Sequence, residues 1–284
     1  MATVETHSAK AGSWWPYEVP FGSWFGLVRH ATAGGLAGLT AGFLVGGIGS
    51  RIFMRIAGAA SGTRGAGRIT EAGFTVGELS AIGTFFLVLF IGLGSGIVGA
   101  GMYLVMRPWL GWARKWRGVA FGVMLFALTS ATSDIMNPDN RDFSILGNGV
   151  LLVALIIVLF VVFGVVTDWM FQWFDARLQP EKEGFASVGV AYAIFVGLGA
   201  PAVVLIGAGI LLGGENICGC EAPVWASWSF VVVCVSTVVI WVNAATRLPS
   251  LVNRIAAVTG YLGMGGVLVF GVIRAISDAT DIIG

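Results

Sequence analysis

The chain has 284 residues, 57% of them hydrophobic and 11% charged, with a formal net charge of +1 and a mean hydropathy of +0.89. A soluble domain carries about 25% charged residues, so a water-soluble globule is excluded. No basic tail or strip points to nucleic acid, and Cys218, Cys220 and Cys234 are too few for a disulfide scaffold.

The charges cluster between long uncharged runs. Runs of about 18 or more apolar residues read as membrane helices, because the hydrocarbon core is roughly 30 Å thick and a helix rises about 1.5 Å per residue. A spanning β-barrel would alternate apolar and polar residues, and Leu151 to Val166 does not alternate. The expected fold is therefore all-α, a polytopic integral membrane bundle of seven helices with glycine-rich packing.

Residues 1–27 form a polar, aromatic lead-in. Trp14, Trp15, Tyr17, Phe21, Trp24 and Phe25 stand among Pro and Gly, and amphipathic rings favour the headgroup layer. An interfacial segment and a flexible tail both fit. No basic-then-apolar leader with a small-residue cleavage site is present, so the first span is expected to serve as its own insertion signal. The helical domain covers 28–275 and a short tail 276–284. Spans are expected near Val28–Ser50, Leu79–Met106, Gly118–Ile135, Leu146–Val166, Ser187–Leu212, Trp225–Ala245 and Ile255–Ala275. The third is the shortest, and a re-entrant third segment would reduce the count to six.

The segment Arg107–Arg117 holds Arg107, Arg114, Lys115 and Arg117 and no acid. The positive-inside rule makes it a cytoplasmic loop. Alternation then places the N-terminus inside and the C-terminus outside, in the cell membrane or, for a bacterium, the inner membrane. Ten of the sixteen basic residues fall on the inner side under this assignment.

Several membrane functions lack their residues. A retinal protein needs a lysine in its last span for the Schiff base, and the lysines are Lys10, Lys115 and Lys182, all outside spans. Haem and chlorophyll are disfavoured because the histidines are only His7 and His30, the latter placed at the membrane interface. No zinc-spaced cluster, phosphate-binding loop, nucleophile elbow or metalloprotease motif occurs, so no catalytic residue, cofactor or metal ligand is assigned. Asp134 and Asp168 lie near span ends, and the middles of the spans carry no charge, which disfavours an ion-coupled pump.

Glycine is abundant, at 43 residues. Gly34, Gly38, Gly42 and Gly46 recur every four positions and so share a helix face. Such faces let membrane helices approach closely, within one chain or against another copy or subunit. Pro201, with Gly197 and Gly199, marks a kink or break in the fifth span. Phe90–Gly94 is echoed by Phe195–Gly199, an offset that lays three spans over three and would make an inverted repeat.

Three polar groups, all on the outer side, are candidate sites. Arg51 and Arg55 stand one turn apart and suit a phosphate, a carboxylate or a lipid headgroup. With Glu71 and Glu78, and with Asp134, Asp139 and Asp142, they are expected to form a polar cap. That last loop offers oxygen donors but lacks the spacing of a calcium-binding loop and also reads as turn chemistry. Cys218 and Cys220, two apart, would form a strained and reducible bridge, a soft-metal pair or two free thiols. The leading functional expectation is a non-catalytic accessory or scaffold subunit of a membrane complex, with the lipid bilayer and a membrane-protein partner or a second copy as its contacts. The alternatives are a small-solute transporter or channel and a lipid-modifying enzyme at the outer interface.

Overall fold

The computed structural model describes residues 23–62, 67–68, 81–132, 135–136, 143, 146, 148–178, 196, 224–246 and 250–283. The described residues are helical and contain no strand. The lead-in 1–22, the fifth expected span and its echo of Phe90–Gly94 apart from Val196, and Glu71, Glu78, Asp134, Asp139, Asp142, Cys218 and Cys220 lie outside them.

The elements are α1 (Trp24–Ala41), a π-helical segment (Gly42–Gly49), α2 (Ser50–Ser61), α3 (Ala81–Phe86), a second π-helical segment (Leu87–Gly92), α4 (Leu93–Met106), a 3-10 connection (Arg107–Trp116), α5 (Arg117–Thr132), α6 (Gly149–Arg177), α7 (Val224–Thr246) and α8 (Ser250–Ile283). Five helical stretches are long and apolar enough to cross a membrane. Local chemistry sets their ends. Ser23 Oγ accepts a hydrogen bond from the Gly26 amide at 3.1 Å and opens α1. Asn148 Oδ1 accepts from Leu151 at 3.1 Å and opens α6, each satisfying a donor that a helix start leaves open. Within the helices, Thr32, Thr40, Thr129, Thr132 and Thr167 donate back to carbonyls one turn earlier, as hydroxyls must where water is absent.

Several helices outrun the spans that hydropathy delimits. The helical stretch from Trp24 to Ser61 is 38 residues and α6 is 29. Helix α8 continues to Ile283, across positions where apolarity alone ends the span. A charged or polar residue stops a hydropathy window but does not stop a helix whose backbone bonds are intact.

The stretch Gly83–Thr132, 50 residues long, doubles back. Arg107–Arg117, expected as a loop, is a tight 3-10 connection with Pro108 in its first turn, and Arg114 interrupts it at φ 44°, ψ −113°. Pro108, Trp109, Leu110, Gly111 and Ala113 are buried there. Helix α4 runs antiparallel to α1, with Gly34 facing Leu104, Gly38 facing Ala100 and Gly42 facing Gly96. Helix α5 runs antiparallel to α6, with Gly118 against Val165 and Gly122 against Phe160. Helix α8 pairs antiparallel with α7 through Gly263 and Ser229 and parallel with α5 through Gly271 and Ala127.

The side chains are distributed as lipid requires. Val158, Val162 and Val165 on α6 and Leu262, Val269 and Ile273 on α8 are exposed, while Thr167, Asp168, Ser236 and Thr237 are buried. Among the largest buried side chains, Tyr103, Phe121 and Phe171 gather where α4, α5 and α6 meet, while Trp109 packs against α7 and α8. Trp24, Trp112, Trp116, Trp169 and Trp173 are exposed at this same end, and Trp225 and Trp228 at the other. Two tryptophan levels thus stand at opposite ends of apolar helices, where interfacial rings of a membrane-crossing bundle would stand.

A candidate functional site at the basic end of the bundle

A cluster of described polar groups lies at the end of the bundle that carries Arg107–Arg117. Helix α4 supplies Tyr103, and Arg107 follows one turn later in the connection. Helix α6 supplies Asp168, Phe171, Gln172 and Asp175, which spacings of three and four residues keep on one face. Helix α1 supplies Arg29 and His30.

The Tyr103 hydroxyl donates to Asp168 Oδ1 at 2.5 Å, and Gln172 Nε2 donates to Asp168 Oδ2 at 2.9 Å. Both carboxylate oxygens therefore have partners. Tyr103 is fully buried and Asp168 only 6% exposed. The Arg107 guanidinium lies 4.4 Å from the centroid of the Phe171 ring and is an electrostatic neighbour of both Tyr103 and His30. Arg107 is also buried, and its Nε has no acceptor among the described residues. His30 meets the same Phe171 ring edge-on at 4.8 Å. One turn toward the surface, Arg29 Nη1 donates to Asp175 Oδ1 at 2.8 Å, and its Nη2 bonds the Asp175 carbonyl.

This arrangement differs from the sequence reading at three points. His30, placed at the interface, is buried against Phe171, because α1 packs along α6 and turns that edge inward. Arg107, placed in a solvated loop, is buried because the connection folds under the bundle. Asp168 lies inside α6 rather than past its end. The signal was present as Tyr103/Arg107 and Asp168/Gln172/Asp175, each at helical spacing across a span end, but which faces meet is a tertiary fact.

A second polar seam joins the connection to α7 and α8. Trp109 Nε1 donates to Thr237 Oγ1 at 2.9 Å, and Thr237 donates onward to the Val105 carbonyl at 2.8 Å. The Trp109 indole occupies the space that a side chain at Gly260 would need. Ser236 and Thr259 bond across α7 and α8 at 2.9 Å.

At the opposite end, Arg51 is half-buried at the start of α2 and Arg55 is exposed one turn on. Arg51 Nε has no acceptor among the described residues. The acids expected to cap these arginines lie outside the described residues, as does the Cys218/Cys220 pair. Cys234 is half-buried in α7. Among the described residues no three His, Cys, Asp or Glu side chains gather as a metal site.

No protein-family model, curated protein or solved structure matches the chain. The architecture itself defines the class, an α-helical protein with apolar helices long enough to cross a membrane.

Proposed function

We propose that the protein is a seven-span integral membrane scaffold, a non-catalytic subunit whose work is to hold a membrane assembly together. In this reading the basic end faces the cytoplasm, with the N-terminus inside and the C-terminus outside. Helices α4 and α5 count as separate crossings. Helices α6 and α7 run the same way through the bundle, so this reading needs one more crossing between them, for which the sequence offers the apolar run 187–212. The glycine face of α1 serves close helix packing, and no cofactor is part of this reading.

The observation that carries the reading is how the buried polar groups are used. Asp168 is bonded on both oxygens, Asp175 holds Arg29, and Thr237 links Trp109 to a backbone carbonyl. Apart from the Gln172–Asp168 bond within α6, each of these bonds ties separate segments of the bundle together. Intramembrane ionisable groups are functional candidates by default, and here their shared geometry serves to fix helices in place. Native mass spectrometry of the protein extracted in mild detergent tests the reading. A stable higher-mass assembly, of several copies or with another membrane protein, is the expected result. A monomer that moves a small solute across proteoliposomes would replace it with the transporter reading.

The transporter reading keeps one specific support. The two π-helical segments face each other, with Gly47 against Val88 and Gly92. Such segments are rare and frequent at functional sites.

A further inference from the structure

The connection between α4 and α5 is a shaped platform. Its buried side, Pro108, Trp109, Leu110, Gly111 and Ala113, anchors it under the bundle, and the Trp109–Thr237 hydrogen bond locks it to α7. Its other side presents Trp112, Arg114, Lys115 and Trp116, all exposed, with both indoles 62% accessible. A cation between two indoles, on a fixed backbone, at one tryptophan level of the bundle, is a pattern that water alone does not call for.

Charge is unbalanced there. Asp168 is occupied by Tyr103 and Gln172, and Asp175 by Arg29. Neither is engaged with Arg114 or Lys115, and among the described residues neither cation makes an ion pair. Lys115 lies 6.0 Å from the Trp116 ring centroid, and nearby on α6 Arg177 stacks on Trp173 at 3.8 Å. Among the described residues, no acid answers these basic side chains beside their indoles.

The backbone supplies an independent observation. Arg114 is the one described non-glycine residue with positive φ, at φ 44°, ψ −113°. Glycine adopts that conformation without strain and arginine does not. An arginine kept where glycine would fit better points to a use for its side chain, since strain of this kind concentrates at ligand clamps.

We propose that this platform binds an anionic phospholipid of the adjoining leaflet. Arg114 and Lys115 take the headgroup phosphate, Arg114 through its planar fork, while Trp112 and Trp116 rest at the glycerol level beside the lipid. The positive φ falls at Arg114, which stands between Trp112 and Trp116 in the chain and is exposed as they are.

The test uses the full chain purified in mild detergent, with phosphatidylglycerol or phosphatidylcholine added, and measures retained lipid by native mass spectrometry together with thermal stability. The variants are Arg114→Gly, Lys115→Gln and both combined. Each basic residue near an anionic surface contributes roughly a factor of five in binding. The double variant is therefore expected to lose about 25-fold in phosphatidylglycerol affinity, with phosphatidylcholine retention unchanged. Arg114→Gly is expected to melt at the same or a higher temperature in phosphatidylcholine, because glycine relieves the backbone. Equal retention of the two lipids by the wild type would overturn the proposal, as would full phosphatidylglycerol retention by Lys115→Gln and the double variant. A drop in the phosphatidylcholine melting temperature for Arg114→Gly would assign Arg114 to structure instead.

Discussion

Tyr103 donates its hydroxyl to a buried carboxylate and is itself fully buried, so its loss is felt directly. Tyr103→Phe leaves Asp168 Oδ1 without its donor, and an orphaned buried polar group costs about 1–3 kcal/mol. Asp168→Ala is expected to cost more, about 1–3 kcal/mol for each of two donors, because it leaves both the Tyr103 hydroxyl and Gln172 Nε2 without their acceptor. Thermal unfolding in detergent of the two single variants and the double variant measures this. The double variant should fall well short of the sum, since both changes break the same bond; additive losses would show that the two residues act apart. These residues were individually visible in the sequence. What hid them was their position at span ends, where a tyrosine, an arginine and an aspartate read as interface decoration until three helix faces close over them.

At the scale of the helix pair, α1 and α4 approach through their backbones. A Cβ at Gly38 would stand 2.5 Å from the Gly96 carbonyl oxygen and 2.8 Å from Ala100 Cα. One at Gly42 would stand 2.5 Å from Gly96 Cα and 2.6 Å from its nitrogen. Those are backbone atoms and cannot rotate away. Gly34 differs, since its nearest neighbour is the Leu104 side chain, which can. Gly38→Ala and Gly42→Ala are each expected to lower stability by about 1–3 kcal/mol through overpacking. Gly94 has nothing within 4 Å of a built Cβ, so Gly94→Ala should be neutral or stabilising by up to about 1 kcal/mol from helix propensity. Melting temperatures of the three variants check the order, and a Gly42→Ala melt equal to that of Gly94→Ala would break it. The four-residue glycine period marks the face in the sequence. Its partner, Gly92, Gly96 and Ala100, is equally legible as a small-residue face, but periodicity does not say which faces meet.

Across the whole molecule, the directions of the described helices make a topology that chemistry can check. The connection Arg107–Trp116 and the segment Gly214–Pro223 should lie on opposite sides of the membrane. Single cysteines placed at Trp112 and at Ala222, in a background lacking Cys218, Cys220 and Cys234, should react with an impermeant thiol reagent from opposite sides of sealed vesicles. Labelling of both from one side would end the seven-span arrangement. The expected asymmetry also has an electrostatic reading. The basic platform sits at one tryptophan level, and the Lys/Arg bias of cytoplasmic segments favours the orientation that keeps Arg114, Lys115 and Arg117 inside.

The sequence by itself determined the class of this protein, because hydrophobic length against bilayer thickness is a one-dimensional match that needs no partner. It also marked Arg107–Arg117 as the basic segment. It did not determine helix length past the span ends, since hydropathy reports solvation whereas a helix persists as long as its own hydrogen bonds do. Nor did it locate the buried cluster. Tyr103 and Asp168 are 65 positions apart, Arg29 and Asp175 146 apart, and only the packing of α1, α4 and α6 makes them neighbours. Tertiary structure alone also turned the Arg107–Arg117 loop into an anchored platform, by giving Trp109 a slot over Gly260 and a hydroxyl to bond.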